Sequence, residues 1–255
     1  MKYVFLFAAL LSILSVALIC VFLFASGIPA IGKIGVFKFL AGREWRPGND
    51  IYGILPMIMG SIYVTAGAIV VGVPIGILTA VFMAKFCPKP LYRIFKPATD
   101  LLAGIPSIVY GFFGLVVLDP LVRRIFGVAS GKTILTVSVL LGIMILPTII
   151  GVSESALRAV PESYYEGALA LGASHERSVF FAVLPAAKSG VLASIVLGIG
   201  RAIGETMAAV MIAGNQPRMP AGLLKGVRTM TSNIVLEMGY AADRHRGAMI
   251  ATGVV

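Results

Sequence analysis

Apolar residues along the chain are grouped into long uninterrupted runs and do not alternate with polar residues. The five longest runs cover residues 3–26, 54–86, 98–118, 133–151 and 186–213. A membrane-spanning helix needs about 20 predominantly apolar residues, so each of these runs can cross a bilayer as a helix. A last apolar run, 247–255, has only nine residues. The pattern predicts an all-α integral membrane protein with six transmembrane helices, the sixth of them truncated.

The first apolar run could be either a cleaved signal peptide or a retained helix. Small residues at 25–27 resemble a cleavage site, but a signal peptide has an apolar region of only about 7–15 residues. The run 3–26 has 24, which favours a retained helix. We therefore divide the chain into an N-terminal helix with an external connecting segment, 1–52, and a membrane core, 53–255.

Composition supports the membrane assignment and excludes several function classes. Of all residues, 58% are hydrophobic and only 13% are charged, whereas soluble domains have about 25% charged residues. The net charge of +10 is scattered over the segments between runs, which favours anionic lipid or an anionic solute over nucleic acid. Cys20, Cys87, His175 and His245 lie in separate segments, so we expect no metal site and no cofactor.

A short resemblance to a nucleotide-binding loop does not hold. Residues 130–133 read Ser-Gly-Lys-Thr, but Phe126 stands where the Walker A motif needs its first glycine. The chain also contains no nucleophile–base pair that would indicate an enzyme. We therefore expect a transport subunit that performs no covalent chemistry and receives its energy from another protein.

The stretch Tyr165–Pro185 is charged and helix-like, yet it lies between two apolar runs. It resembles the EAA signature of ABC importer permeases at six positions, namely Glu166, Gly167, Ala168, Gly172, Leu184 and Pro185. Gly167 stands where Ala is usual, and Ala182 stands where Ile or Val is usual. The resemblance implies a cytoplasmic coupling loop at about 153–185, in which these six residues contact an ATPase subunit. The alternative is a solvated linker helix.

Two charged residues, Arg201 and Glu205, lie inside the apolar run 186–213. An ionisable residue at mid-bilayer costs roughly 2.5–3.5 kcal/mol and usually faces a solute path or the helix bundle interior. In a continuous helix, the i, i+4 spacing would place both residues on one face. A guanidinium can bind a tetrahedral oxyanion through two hydrogen bonds. The alternative is a buried structural ion pair.

The segment Gly200–Thr206, together with Trp45 and the residues 52–56, closely resembles the PstC-type permeases of phosphate ABC importers. This resemblance implies the type I ABC importer permease fold and transport of inorganic phosphate across the inner or plasma membrane. It places Arg201, Glu205 and Thr206 on the substrate path. It also implies a PstA-like second permease, a PstB-like ATPase dimer and a PstS-like phosphate-binding protein as partners.

Two alternative functions stay open at this point. One is an importer permease for another oxyanion, such as molybdate or sulfate. The other is a stand-alone channel or secondary transporter, against which the EAA signature argues because such proteins have no ATPase to contact.

The orientation in the membrane is predicted from the coupling loop, since this loop must face the cytoplasm to contact an ATPase. The distribution of basic residues points the other way. With the loop inside, eight Lys and Arg residues face the cytoplasm and twelve face outward, against the usual excess of positive charge inside.

Overall fold

The computed structural model describes residues 1–255, which form helices and one short hairpin. The elements of the N-terminal part are α1 (Lys2–Ile34), α2 (Val36–Ala41), β1 (Trp45–Arg46), β2 (Ile51–Tyr52) and α3 (Leu55–Val81). The central elements are α4 (Lys89–Gly104), α5 (Ser107–Phe113), α6 (Asp119–Phe126), α7 (Ile134–Arg158) and α8 (Glu162–Ala170). The C-terminal elements are α9 (His175–Ser178), α10 (Leu184–Ala186), α11 (Lys188–Gly204), α12 (Met207–Ile212), α13 (Met230–Glu237) and α14 (Asp243–Val254).

Three helical segments are long and apolar enough to cross a membrane, namely Lys2–Ile34, Leu55–Phe86 and Ile134–Arg158. Two further pairs of helices are sharply bent, by 97° after Gly104 and by 71° after Ala186. If each bent pair is one crossing, the chain has up to five spans. The number of six spans therefore stays a prediction, and α14 has 12 residues.

The chain divides into two compact units, the first of which contains residues 1–61, 215–221 and 227–255. Its core consists of large side chains from α2, from the β1–β2 hairpin and from the region where α3 begins, packed on side chains of α14. The buried members are Phe39, Trp45, Tyr52, Ile54, Met57, Ala248, Met249 and Ala251. Trp45 pairs with Tyr52 across the hairpin. Helix α1 approaches α14 closely, since a Cβ at Gly27 would lie 3.3 Å from the Ala251 Cα.

The second unit contains residues 62–214 and 222–226 and has α7 as its most buried helix. Thr133 caps α7 by accepting a hydrogen bond from the Thr136 N–H, as Thr commonly does at a helix start. Helix α11 packs along α7, because a Cβ at Gly198 would lie 3.0 Å from Ile149. Small residues allow this close approach between membrane helices.

The apolar run 186–213 does not form the single continuous helix that its pattern predicts. Helix α11 ends at Gly204, Glu205 has extended backbone with ψ 127°, and α12 begins at Met207. The physical reason is visible at the break, where a carboxylate satisfies backbone N–H groups that a continuous helix would bond internally.

Candidate functional sites

Arg201 lies in the last turn of α11 and is half-buried against α7. Its Nη1 donates a hydrogen bond of 3.2 Å to Oγ1 of Thr148, which directly follows Pro147 in α7. Further along the same two helices, the hydroxyls of Ser153 and Ser194 share a hydrogen bond of 2.7 Å. The guanidinium is therefore positioned by a second helix whose distance from α11 is fixed by packing and by this buried polar contact.

Glu205 lies at the break between α11 and α12. Its Oε1 accepts hydrogen bonds from the backbone N–H of Thr206 at 3.0 Å and of Ala208 at 3.2 Å. The Thr206 hydroxyl donates to the Gly204 carbonyl at 3.1 Å. Because α11 has already ended, the prediction that Arg201 and Glu205 share one face of a continuous helix is wrong. Arg201 instead contacts α7 before the break, whereas Glu205 and Thr206 form hydrogen bonds with the backbone at the break itself.

The predicted coupling loop forms a helical hairpin in which α8 is followed by a tight turn and α9. Gly172 has φ +82°, the Ala173 N–H bonds to the Ala168 carbonyl at 3.1 Å, and the Gly172 N–H bonds to the Leu169 carbonyl at 2.8 Å. These two bonds form a Schellman motif, in which glycine is favoured because other residues are strained at positive φ. The backbone conformation of the turn therefore explains why a glycine stands at position 172.

The predicted contact residues differ in exposure. Glu166, Gly167 and Pro185 are exposed, and a Cβ at Gly167 would meet no atom within 4 Å. Leu184 is half-buried and packs against a cluster that includes Val183. The exposed positions on α8 can thus contact a partner directly, whereas Leu184 contributes mainly to the core beneath the hairpin.

The base of this hairpin is attached to the end of the membrane-spanning segment Leu55–Phe86. The Tyr165 hydroxyl and His175 Nδ1 share a hydrogen bond of 2.7 Å, and the His175 ring lies edge-on to Phe86 with centroids 4.6 Å apart. Lys85 Nζ lies 3.4 Å from a carboxylate oxygen of Glu162. A displacement of the hairpin would therefore be transmitted to the end of a membrane-spanning segment.

A buried carboxylate that the sequence pattern did not single out lies at the end of α7. Glu154 is 3% exposed, and its Oε1 accepts hydrogen bonds from Tyr92 Oη at 2.7 Å and from Arg158 Nε at 2.8 Å. Lys96 Nζ lies 3.6 Å from its other oxygen, and Arg158 also donates to the Met83 carbonyl at 2.9 Å. The network ties the end of the segment Leu55–Phe86, α4 and α7 together. The sequence signal for part of this network was the i, i+4 spacing of Glu154 and Arg158, which favours an ion pair on one face of a helix.

A second buried carboxylate, Glu237, lies in the first unit. It accepts hydrogen bonds from Trp45 Nε1 at 2.8 Å and from Arg228 Nη1, and it shares one of 2.9 Å with His245 Nε2. Tyr52 stacks on the His245 ring nearby. Burial and the hydrogen bond to Asp50 raise the pKa of Tyr52 above its ordinary value. Trp45 and Tyr52, which the sequence marked as part of one motif, thus lie around a common polar centre.

Comparison with known proteins gives consistent matches over most of the chain. Residues 72–255 match the family described as binding-protein-dependent transport system inner membrane component. The chain is 35% identical to a probable ABC transporter permease protein, YqgH, of Bacillus subtilis, over 91% of this chain and 76% of that protein. It is 33% identical to the phosphate transport system permease protein PstC of Mesorhizobium japonicum, over 97% and 82% respectively. For PstC of Pasteurella multocida the identity is 32%, over 86% and 74%.

Solved structures share the fold at low sequence identity. A chain of the MetNI methionine ABC transporter has a TM-score of 0.56 and 20% identity, covering 79% of this chain and 87% of that one. A chain of an amino acid ABC transporter with histidines has a TM-score of 0.55 and 15% identity, covering 78% and 84%. These likenesses confirm the predicted type I ABC importer permease fold.

Proposed function

Because this chain belongs to the family of inner membrane components of binding-protein-dependent transport systems, we propose that it is the permease subunit that moves inorganic phosphate in an ABC importer. The family consists of membrane-embedded transport subunits that are not themselves catalytic. The relatives named for phosphate transport support the choice of solute. The single structural observation that carries the proposal is Arg201, a guanidinium held between two packed membrane helices by Thr148.

Arg201 supplies the chemistry that an oxyanion path needs. A guanidinium has five N–H donors, and the contact with Thr148 involves Nη1. The other donors can bind a tetrahedral oxyanion through two parallel hydrogen bonds. The positive charge of the guanidinium attracts an anion whichever side of the membrane the path opens to.

Glu205 has a different role from that of a simple ion-pair partner. Its carboxylate stabilises the beginning of α12. Its negative charge repels a fully deprotonated anion, whereas the O–H that phosphate retains at neutral pH can donate a hydrogen bond to the carboxylate. Specificity often depends on such a repulsive element against the wrong ligand. We propose that Glu205 disfavours sulfate in this way, in addition to the selection made by an external binding protein.

The energy for transport enters through the coupling hairpin. We propose that Glu166, Gly167 and Ala168 on α8, together with Gly172 at the turn and Leu184 and Pro185 after it, form the contact with a PstB-like ATPase dimer. A PstA-like permease would complete the path, and a PstS-like protein would deliver phosphate. The anchoring of the hairpin on Phe86 and Lys85 supports a route from ATPase movement to the membrane-spanning segment Leu55–Phe86.

The path assignment is tested by phosphate uptake with complexes of confirmed abundance. Arg201→Gln should abolish uptake while the complex still assembles, and Arg124→Gln, at an exposed position, is the matched control and should transport normally. Glu205→Gln keeps an oxygen that can accept a hydrogen bond from the Thr206 N–H. A loss of uptake in this variant would therefore show that transport needs the negative charge of Glu205. Normal uptake by the Arg201/Glu205 double variant would place the path elsewhere.

The choice of solute and the class of transporter need separate measurements. With the binding-protein step bypassed, Glu205→Gln should show weaker discrimination against sulfate than the unmodified complex. Preferential uptake of molybdate or sulfate by the unmodified complex would favour the other-oxyanion alternative. Flux that persists without ATP would favour a channel or secondary transporter.

The coupling assignment is tested at Gly167, where the fold leaves open space. Gly167→Leu should leave the subunit in the membrane but separate ATP hydrolysis from uptake. Gly167→Ala adds only a methyl group at the same position and should stay coupled. If Gly167→Leu transports at the normal rate with normal ATP consumption, α8 does not form the ATPase contact.

A further inference from the structure

A cavity of about 900 Å³ in the first unit lies where α1 ends. Its walls are the last turns of α1, helix α2, the segment 42–53 and the beginning of α14. Gly247 of α14 closes one side, since a Cβ there would lie 3.2 Å from the Ala30 side chain. The residues proposed for the solute path and for coupling are not among those that line it.

The cavity is lined by more basic side chains than its carboxylates neutralise. Arg244 lies 3.7 Å from Asp50, and the lining residue Glu44 pairs with Arg46. The other three basic residues, Lys33, Lys38 and Arg43, have no carboxylate within 4.0 Å. Asp243 also lines the cavity and has no basic side chain within 4.0 Å. Three unpaired cations against one unpaired carboxylate leave an excess of positive charge around the cavity, which indicates an anionic ligand.

The surroundings of the cavity indicate that this ligand also has an apolar part. Helix α1 is a membrane-spanning segment whose apolar side chains are exposed, among them Phe24 and Ile28 just before the cavity. On α2, Val36 is 52% and Phe37 is 87% exposed, and both directly precede Lys38. Exposed apolar and basic side chains on one short helix are typical of a segment that lies at the membrane–water interface.

We propose that this cavity binds the headgroup of an anionic phospholipid. Lys33, Lys38 and Arg43 surround the phosphodiester, with Arg43 able to donate two parallel hydrogen bonds and the lysines acting as point charges. The acyl chains lie along the exposed apolar side chains at the end of α1. Free inorganic phosphate shares the anionic chemistry, but it has no part that would cover Phe24, Ile28 or Phe37.

The test uses the importer complex purified from membranes and reconstituted in nanodiscs of phosphatidylcholine with a minor fraction of phosphatidylglycerol. Lipid retained after extraction is measured by native mass spectrometry. The variant carries Lys33→Gln, Lys38→Gln and Arg43→Gln. The matched control carries Arg123→Gln, Arg124→Gln and Lys132→Gln, which removes three exposed cations from the second unit.

We expect retained phosphatidylglycerol to fall about a hundredfold in the variant, because each basic residue near an anionic surface contributes about fivefold. The control should retain phosphatidylglycerol at the unmodified level, and phosphatidylcholine should not be enriched in any sample. A charge-preserving variant, with Lys33→Arg, Lys38→Arg and Arg43→Lys, should also retain it, which separates loss of charge from loss of folding.

Three results would overturn the proposal. Equal retention by the glutamine variant and the unmodified complex would show that these cations do not hold lipid. An equal loss in the control would show a general charge effect. Displacement of the retained lipid by millimolar inorganic phosphate, with phosphate binding lost in the variant, would assign the cavity to free phosphate.

Discussion

At the scale of single residues, the functional side chains depend on partners that are distant in the sequence. Arg201 contacts Thr148, 53 residues earlier, and Glu154 contacts Tyr92, 62 residues earlier. Trp45 and Glu237 are separated by 192 residues. Each partner is a hydroxyl, an indole or a carboxylate whose role depends on how the helices pack.

Thr148 should affect transport through the position of the Arg201 guanidinium. Thr148→Val has nearly the same shape but removes the oxygen that accepts from Arg201 Nη1. An unpaired buried donor costs about 1–3 kcal/mol, and the lower part of this range applies to Arg201 because it is half-buried. We expect kcat/KM for phosphate uptake to fall about tenfold, since tenfold corresponds to about 1.4 kcal/mol. Thr148→Ser keeps the hydroxyl and should stay within a few-fold of the unmodified complex. Equal behaviour of the Val and Ser variants would show that the hydroxyl does not position Arg201.

Tyr92 and Glu154 should affect stability. Tyr92→Phe removes one hydrogen bond to a carboxylate that is 3% exposed, and hydrogen bonds to charged groups contribute about 1.5–3 kcal/mol. We expect a lower thermal unfolding temperature for the purified protein. Tyr164→Phe is the matched control, because Tyr164 is 54% exposed, and it should unfold at the normal temperature. If the two Tyr→Phe variants unfold at the same temperature, the Glu154 network does not stabilise the fold.

At the scale of elements, the backbone of the coupling hairpin limits what can be substituted at its turn. Gly172 has φ +82°, and a left-handed conformation costs a residue with a side chain about 1–2 kcal/mol, with Asn among the residues that adopt it most readily. Gly172→Ala should therefore loosen the end of α8, and Gly172→Asn should do so less. Hydrogen exchange of the Gly172 and Ala173 amides would measure the difference.

Equal exchange in the Ala and Asn variants would mean that the Schellman bonds do not order the turn. A bulky residue at Gly172 would disturb this turn together with any contact surface. The exposed Gly167 is therefore the cleaner position for testing contact with an ATPase.

The elements also show which parts of the fold the sequence could predict. The continuous apolar runs predicted α1, α3 and α7, whereas the run 98–118 is divided where α4 ends at Gly104, just before Pro106. The break at Glu205 was not predicted, because the run 186–213 is long enough for one continuous helix even with two charged residues inside it. What ends α11 there is a carboxylate bound to backbone N–H groups, a contact that the hydrophobic pattern does not contain.

The candidate sites were predictable to a similar degree. Arg201 was predicted as a site residue because it is a charged residue inside an apolar run. The coupling hairpin was predicted from the spacing of the EAA signature, which begins at Glu166. Thr148 and Glu154 were not marked, because Thr is common in membrane helices and Glu154 lies just past the apolar run. The roles of both depend on which helix packs against α7, and packing partners follow from tertiary structure.

At the scale of the whole molecule, two features of the chain bear on its orientation in the membrane. The excess of basic residues on one side and the need of the coupling hairpin to contact an ATPase give opposite answers. Cys87 can distinguish them, because it directly follows Phe86, on which the hairpin residue His175 packs. Cys87 is also half-buried and reduced, so a thiol reagent can report the side on which it lies.

We expect Cys87 to face the cytoplasm, because coupling requires physical contact between the hairpin and the ATPase, whereas the charge rule is a statistical tendency. With Cys20 replaced by Ser, Cys87 is the only thiol. An impermeant maleimide added to intact cells should leave Cys87 unlabelled and should label it after the membrane is permeabilised. A Gly48→Cys variant, with Cys20 and Cys87 replaced, places a thiol in the exposed turn of the β1–β2 hairpin and should be labelled from outside in intact cells. Labelling of Cys87 from outside, with Gly48→Cys protected, would reverse the orientation and remove the basis for ATPase contact at α8.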